Sequence, residues 1–286
     1  MRDHLHRRTF CLALTCGWAL PRAGSAQSPD RPLEIGVLPN ISARVLLAQY
    51  QPMREYLARE TGRAVQISTA PSWQAFHQST LALGYDVVVT GAHLARLAQL
   101  DRGYVPLLSY LPNMKGLLAY AGSRPIQRIN ELGGQTLVLS NPQSLVTFRG
   151  LQWLAENGLQ RERDYRTINT PTDDSVGNVV LRGDATAAML SGGEFRAMPE
   201  AVRAQLQILT TFAEVPGFIV MASPRLPAAD TQAIRQHLLR FATSSDEGRQ
   251  FFEKSGFTAI REPAPGLMES MDPYVSATRR ALTPAG

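Results

Sequence analysis

"LVLSNPQSLVTFRGLQWLAENG" (residues 137–158) changes its period halfway. Leu137, Val138 and Leu139 form an unbroken apolar run, the mark of a buried strand. Ser140, Asn141 and Pro142 stop it. From Ser144 the apolar residues fall at Leu145, Phe148, Leu151 and Leu154, a spacing that predicts a helix, and Asn157-Gly158 is a common helix stop. A strand that turns tightly into a helix leaves the first helical N–H groups without intrahelical partners and aims them past the strand end. The stretch therefore raises two questions: what accepts those donors, and whether chemistry follows.

Working outward, the same order of elements occurs twice. From residue 135, "QTLVLSNP" is strand and turn, then comes the helix after Ser144. "DYRTINT" is a strand, "DDSVGNVVLRG" a helix, "DATAAML" a strand and "GGEFRAMPEAVRAQL" mostly helix. Upstream, "PLEIGVLPN" is a strand ended by Pro39-Asn40. Ser42 can cap a helix that Pro52 divides, or whose second part Pro52 opens, and that Thr61-Gly62 stops. "AVQIST", "SWQAFHQSTLALG", "YDVVVTG" and "AHLARLAQLDRG" then read strand, helix, strand, helix. This alternation predicts an α/β protein of two lobes, each a mainly parallel sheet flanked by helices. The halves share architecture, not residue identity.

Between them, 105–111 and 116–121 read as extended, and after the second half "FIVMAS" is another strand followed by a helical tail. One extended segment enters the second lobe and another leaves it, which predicts a two-strand hinge. The expected boundaries are 33–113 for the first part of lobe I, 114–212 for lobe II, and 213–286 for a return strand and C-terminal helices packing on lobe I. Two hinged α/β lobes present strand C-terminal ends to a shared cleft, where such sheets bind ligands.

The first 26 residues read as an export signal: Arg2, Arg7 and Arg8, the apolar core "TFCLALTCGWAL", and the small-residue end "PRAGSA". "RRTFCL" also fits a twin-arginine signal, so the expected location is the periplasm by either route. Both cysteines, Cys11 and Cys16, fall in this segment, so the mature chain has no thiol for a disulfide or metal. The segment holds four Arg and one Asp, leaving 25 basic and 23 acidic residues, a net charge near +2. No Lys/Arg block with interleaved aromatics occurs, which argues against nucleic acid. No later apolar run approaches the roughly 18 residues of a membrane span.

The layout resembles the phosphate/phosphite/phosphonate-binding periplasmic proteins of ABC importers. The likeness spans about residues 33–282. "IGVLPN", "MREYLARETG", "YDVVVTGAHLARLAQ", "LGGQTLVLSNPQSLVTFRGLQWLAENGL", "NVVLRGDATAAML", "VPGFIV" and "FFEKSGF" carry it, through their order and spacing. The resemblance implies the two-lobed clamp of type II periplasmic binding proteins, delivery of an oxyanion to a permease, and no reaction.

Site residues come from the same resemblance. Relatives that bind phosphonates carry Ser-Thr-Ser-Gly after the Asp/Asn-Pro turn. Here the matching run is Ser144, Leu145, Val146 and Thr147, with one of the usual hydroxyls kept and threonine in place of glycine. The amides of Leu145, Val146 and Thr147 can still meet an anion, and Ser144 is the helix cap with or without a ligand contact. Trp73 matches a cleft aromatic of the family, with a packing tryptophan as the alternative. Asn40, at the end of the first strand, is a further cleft candidate, as are Thr90, Gly91 and His93. A plain strand-to-helix turn and an exposed first-turn histidine are the alternatives for the last three. Asp173 and Asp174 stand where the family has His or Ser followed by an acid; they either cap the next helix or face the cleft, where they would repel a dianion. Phe218 replaces an acid and supplies an apolar contact or fills the hinge. No cofactor or metal is expected.

Three function classes remain. The first is the receptor of an importer, acting on a permease as a monomer; a less charged organic solute competes with the oxyanion as its cargo. The second is a sensory protein docking its closed form on the periplasmic domain of a sensor kinase. The third is an enzyme, which lacks support: no Gly-x-Ser-x-Gly elbow, His-Glu-x-x-His pair or dinucleotide glycine fingerprint occurs, and His77, His93 and His237 are scattered in sequence.

Overall fold

A computed structural model describes residues 31–170 and 175–283. The export segment with both cysteines, and Asp173 and Asp174, lie outside the described residues. The first half runs β1 (Leu33–Val37), α1 (Ala43–Thr61), β2 (Val65–Ser68), α2 (Trp73–Leu81), β3 (Val87–Gly91) and α3 (Ala92–Arg102). Two long strands follow, β4 (Val105–Leu111) and β5 (Met114–Ala121). The second half runs β6 (Thr136–Leu139), α4 (Leu145–Glu156), β7 (Arg166–Asn169), α5 (Val176–Arg182), β8 (Ala187–Ser191), α6 (Gly192–Ala197) and α7 (Glu200–Arg203). Then come β9 (Leu206–Val215), β10 (Phe218–Ala222), α8 (Ala228–Ser244), α9 (Asp246–Ser255), β11 (Ala259–Arg261) and α10 (Val275–Leu282), the last entered through a 3-10 turn, Glu269–Tyr274.

These strands make two sheets, ordered β11-β4-β10-β3-β1-β2 and β7-β6-β8-β5-β9. In each, the first three strands of that half pair in parallel, as the α/β pattern predicts. The chain then crosses over. β10 returns to insert antiparallel between β3 and β4, and β5 pairs antiparallel with both β8 and β9. The antiparallel direction has a simple cause: a strand arriving from the other sheet enters at the cleft end and runs away from it, opposite to strands that finish there.

The structure differs from or refines the sequence reading at four places. α1 is one continuous helix through Pro52 rather than two pieces. The proline forfeits one backbone donor. Against that loss, Leu46, Tyr50, Met53, Tyr56 and Leu57 are all buried, with Tyr50 edge-on to Phe251 and Tyr56 against Phe241. "GGEFRAMPEAVRAQL" is two short helices, α6 and α7, because Pro199 stands as the cap of the second. β9 was not legible as a strand. Its register shifts twice against β5, and those bulges break the alternation that identifies a strand, so its burial pattern is irregular. The short edge strand β11 was missed as well.

Buried side chains fill both faces of the first sheet and continue into the second, where Leu117, Val138, Val180 and Leu190 belong to a further apolar cluster. No described helix is long and apolar enough to cross a membrane.

Candidate functional site

The two strand-to-helix turns that begin α3 and α4 meet. His93, the second residue of α3, places Nε2 3.0 Å from the carbonyl oxygen of Gln143, the residue before the α4 cap. Its ring stands edge-on to Phe148 of α4, with centroids 5.7 Å apart, and tilted to Trp73 of α2 at 6.3 Å. The contact bridges the two sheets at their strand C-terminal ends. Gln143 also donates through Nε2 to the Ala281 carbonyl of α10 at 2.8 Å, so the C-terminal helix joins the same seam.

On the α4 side the turn is satisfied by its own groups. Ser144 Oγ accepts from the Thr147 amide at 3.1 Å, and the Ser144 hydroxyl lies 3.1 Å from Thr147 Oγ1. Thr147 Oγ1 donates to the Asn141 carbonyl at 2.7 Å, and Asn141 Oδ1 accepts from the Gln143 amide at 2.9 Å. The sequence expectation that Thr147 offers its amide to a ligand is therefore corrected: the Ser144 cap takes it. Leu145 and Val146 are buried by their side chains, and their amides have no partner among the described residues. At 1 % exposure, Thr147 is a core residue whose hydroxyl replaces what a glycine would leave open.

On the α3 side the turn is not satisfied. Gly91 is the N-cap and supplies no side-chain hydrogen bond. A Cβ there would lie 3.1 Å from Cε1 and 3.3 Å from Nδ1 of His93, so glycine is what lets the imidazole lie down over the turn. Thr90 and His93 are each 2 % exposed. Thr90 Oγ1 and His93 Nδ1 are both buried without a hydrogen-bond partner. His93 is thus a buried bridge between the turns, not an exposed first-turn residue. Burial holds its pKa down to about 4, and repulsion from His77 adds to the shift, while the bond to Gln143 opposes it. His77, distant in sequence, is likewise buried on α2 and lowered to about 4, chiefly by desolvation.

The other candidates divide. Trp73 is half-buried, donates through Nε1 to the Pro39 carbonyl at 3.1 Å, and faces His93. Asn40 follows a tight turn in which its amide donates to Leu38 O at 2.8 Å. Trp73 thus joins the His93 group, while Asn40 stands next to Pro39, the partner of Trp73, at the end of β1. Phe218, paired in register with Gly91, turns its ring to Tyr110 and Phe257, at 6.3 and 5.8 Å. That aromatic cluster fills the crossover.

Sequence reasoning passed over three residues that the fold brings here. Gln143 acts through its backbone carbonyl, which no residue type reveals. Phe148 was readable only as a core position of α4. Glu194 was visible as the fourth member of Ser-x-x-Glu, and it does form a capping box with Ser191. Its carboxyl also bonds Ser140 at the end of β6, and burial raises its pKa. A cavity of about 360 Å³ beside the crossovers is lined by Leu111, Asn113, Pro216 and Arg261, and by none of the candidates predicted from sequence.

Solved structures with this fold include PhnD1 of Prochlorococcus marinus in complex with methylphosphonate, 12 % identical over 88 % of this chain and 99 % of that one, with a TM-score of 0.76. A binding-protein component of an ABC phosphonate transporter of Pseudomonas aeruginosa is 14 % identical over 90 % of each chain, with a TM-score of 0.74. A Xanthomonas citri protein bound to chloride is 20 % identical, covering 87 % of this chain and 98 % of that one, with a TM-score of 0.73. Residues 35–265 match the family described as ABC transporter, phosphonate, periplasmic substrate-binding protein. With the doubly crossed sheets and the facing helix ends, this match makes the chain a member of that substrate-binding family.

Proposed function

We infer that the chain binds a small oxyanion of the phosphonate, phosphite or phosphate kind between the turns into α3 and α4, and presents the closed clamp to an ABC permease. The observation that carries this reading is the meeting of two helix starts through His93 and Gln143, with α3 uncapped by any side chain and the Leu145 and Val146 amides of α4 left over by the Ser144 cap. Helix N-termini attract anions, because their first amides and the aligned peptide dipoles leave positive potential there. A ligand held by both turns ties the sheets together, so its binding energy favours the closed form that a permease recognises. Nothing in this mechanism alters the ligand. The protein acts as a monomer, since the closing surfaces meet each other rather than a second copy, and its setting is the periplasm. The domain boundaries we assign follow the crossovers, with 33–113 and 213–286 on one side and 114–212 on the other.

Calorimetry with methylphosphonate, phosphite, phosphate and sulfate tests the ligand class; silence from all four removes it. Trp73 fluorescence should respond to a bound anion, and an unchanged dissociation constant in Trp73→Ala would take that residue out of the site. Light scattering that reports a stable dimer would end the monomer assignment. A permease and ATPase encoded beside this chain would support transport, whereas a sensor kinase neighbour would assign it to signalling.

A further inference from the structure

We propose that His93 makes this cleft selective for oxyanions that carry their own proton, such as a hydrogen phosphonate or hydrogen phosphate, over anions that have none, such as a sulfonate. The inference rests on the oxyanion reading above and goes one step further, to the hydrogen-bond polarity of the ligand.

The argument starts from the Gln143 carbonyl. A carbonyl oxygen only accepts, so the imidazole nitrogen 3.0 Å away, Nε2, must carry the hydrogen. Burial keeps the ring neutral at neutral pH, its pKa lying near 4. A neutral imidazole has a single N–H. With that hydrogen on Nε2, Nδ1 is left with a bare lone pair. This atom is buried, has no partner, and lies over Gly91, and the neighbouring residue Thr90 has an equally unpartnered Oγ1. The clamp therefore holds a fixed acceptor next to the amides of the α3 turn.

A fully ionised sulfonate presents only acceptor oxygens, and one of them directed at Nδ1 sets lone pair against lone pair. A phosphonate monoanion offers two kinds of oxygen. The unprotonated oxygens can take the amides of Leu145 and Val146 and the Thr90 hydroxyl, while P–O–H donates to Nδ1. A buried acceptor left unpaired by the wrong ligand is the arrangement that discriminates most strongly between near-isosteres. The Gly91 position supports the same reading, since any larger residue displaces the ring edge that carries Nδ1.

The test compares methylphosphonate with methanesulfonate by calorimetry, from about pH 6 to about pH 9, across the second ionisation of a phosphoryl-type group. His93 itself titrates below that interval, and so does His77, the ionisable group that it senses from α2. On α3, Arg96 pairs with Asp272 and Glu269 of the 3-10 turn and Asp101 pairs with Arg279 of α10, and across the cleft Glu194 lies against Ser140. Glu194→Gln separates its contribution from that of the ligand. The proposal expects methylphosphonate to bind at least about tenfold more tightly at the acid end, with the preference shrinking as the P–O–H proton is lost. His93→Phe keeps a ring in place but removes the acceptor, and should bring the ratio of the two affinities towards one. Nitrogen chemical shifts of His93 in the wild-type protein give a readout that needs no variant: Nδ1 should shift on methylphosphonate binding and not with the sulfonate. Equal affinities in the wild type, or a ratio that survives His93→Phe, would overturn the proposal while leaving an oxyanion site standing. If neither anion binds, the oxyanion reading falls first and this inference falls with it.

Discussion

The turns into α3 and α4 end comparable parallel strands and open helices of 11 and 12 residues, yet they treat their polar groups in opposite ways. At α4, Ser144, Thr147 and Asn141 form a closed circuit in which hydroxyls, an amide and a carbonyl satisfy one another. At α3 the cap is a glycine, and two buried side-chain atoms, Thr90 Oγ1 and His93 Nδ1, have no partner. A closed circuit stabilises the fold and fixes the direction of the backbone amides beyond it. An open one is an energetic cost in the empty protein, because a buried polar atom without a partner loses its hydration uncompensated. The contrast teaches that the α4 turn is closed by its own groups, whereas the unpaired side-chain atoms collect at the α3 turn.

Acid gives the largest effect with which to break that contrast. Below the ordinary histidine value of 6.5 the unfolded chain binds protons that folded His93 and His77 refuse until about pH 4. Unfolding then takes up protons, so this stability is fully present above 6.5 and is lost as pH falls towards 4. The expected loss is on the order of 3 kcal/mol per buried ring. Urea unfolding followed at a series of pH values measures it, and His93→Phe should flatten the slope. A slope unchanged by that substitution would mean that the α3 turn is not the strained one.

Next comes the circuit at α4. Thr147→Val keeps the shape but removes the hydroxyl that donates to the Asn141 carbonyl and accepts from Ser144, while the Ser144 and Thr147 amides keep their bonds, and should cost about 1.5 kcal/mol of stability. Ser144→Ala, by loss of the cap, should cost about 1 kcal/mol, and Ser144→Asn should restore most of it. Thermal unfolding checks both. If Ser144→Ala abolished anion binding while His93→Phe did not touch it, the roles of the two turns would be exchanged.

The smallest effect sharpens the picture of closure. Gln143→Ala removes the bond to Ala281 but leaves the backbone carbonyl that holds His93. A change of about 0.5–1 kcal/mol is expected, seen as weaker ligand affinity without loss of the His93 nitrogen signature.

Much of the site was written in residue order. Strand period, helix period and the stop at Asn157-Gly158 placed α4, and Ser144 could be read as its cap because small hydroxyl residues satisfy the first amides. Thr90, Gly91 and His93 were singled out as a group by the resemblance, which has glycine after the third strand. Their state was not legible. Whether a histidine in a first turn is exposed or buried depends on what lies over it, and Phe148, Gln143 and Trp73 reach it from elements that no local pattern links to α3. The same limit hid β9, whose bulges erase the period of two, and the continuity of α1 through Pro52, which packing against α8 and α9 enforces.

By itself the sequence determined the alternation of strands and helices and the two crossovers, which follow from local period, stop signals and their order, while the two turns were singled out by the resemblance to a binding-protein family. Only the tertiary structure decided which turn is satisfied and which atom is left open. Burial and hydrogen-bond closure are properties of neighbours distant in the chain, and those neighbours fix which nitrogen of His93 carries its hydrogen.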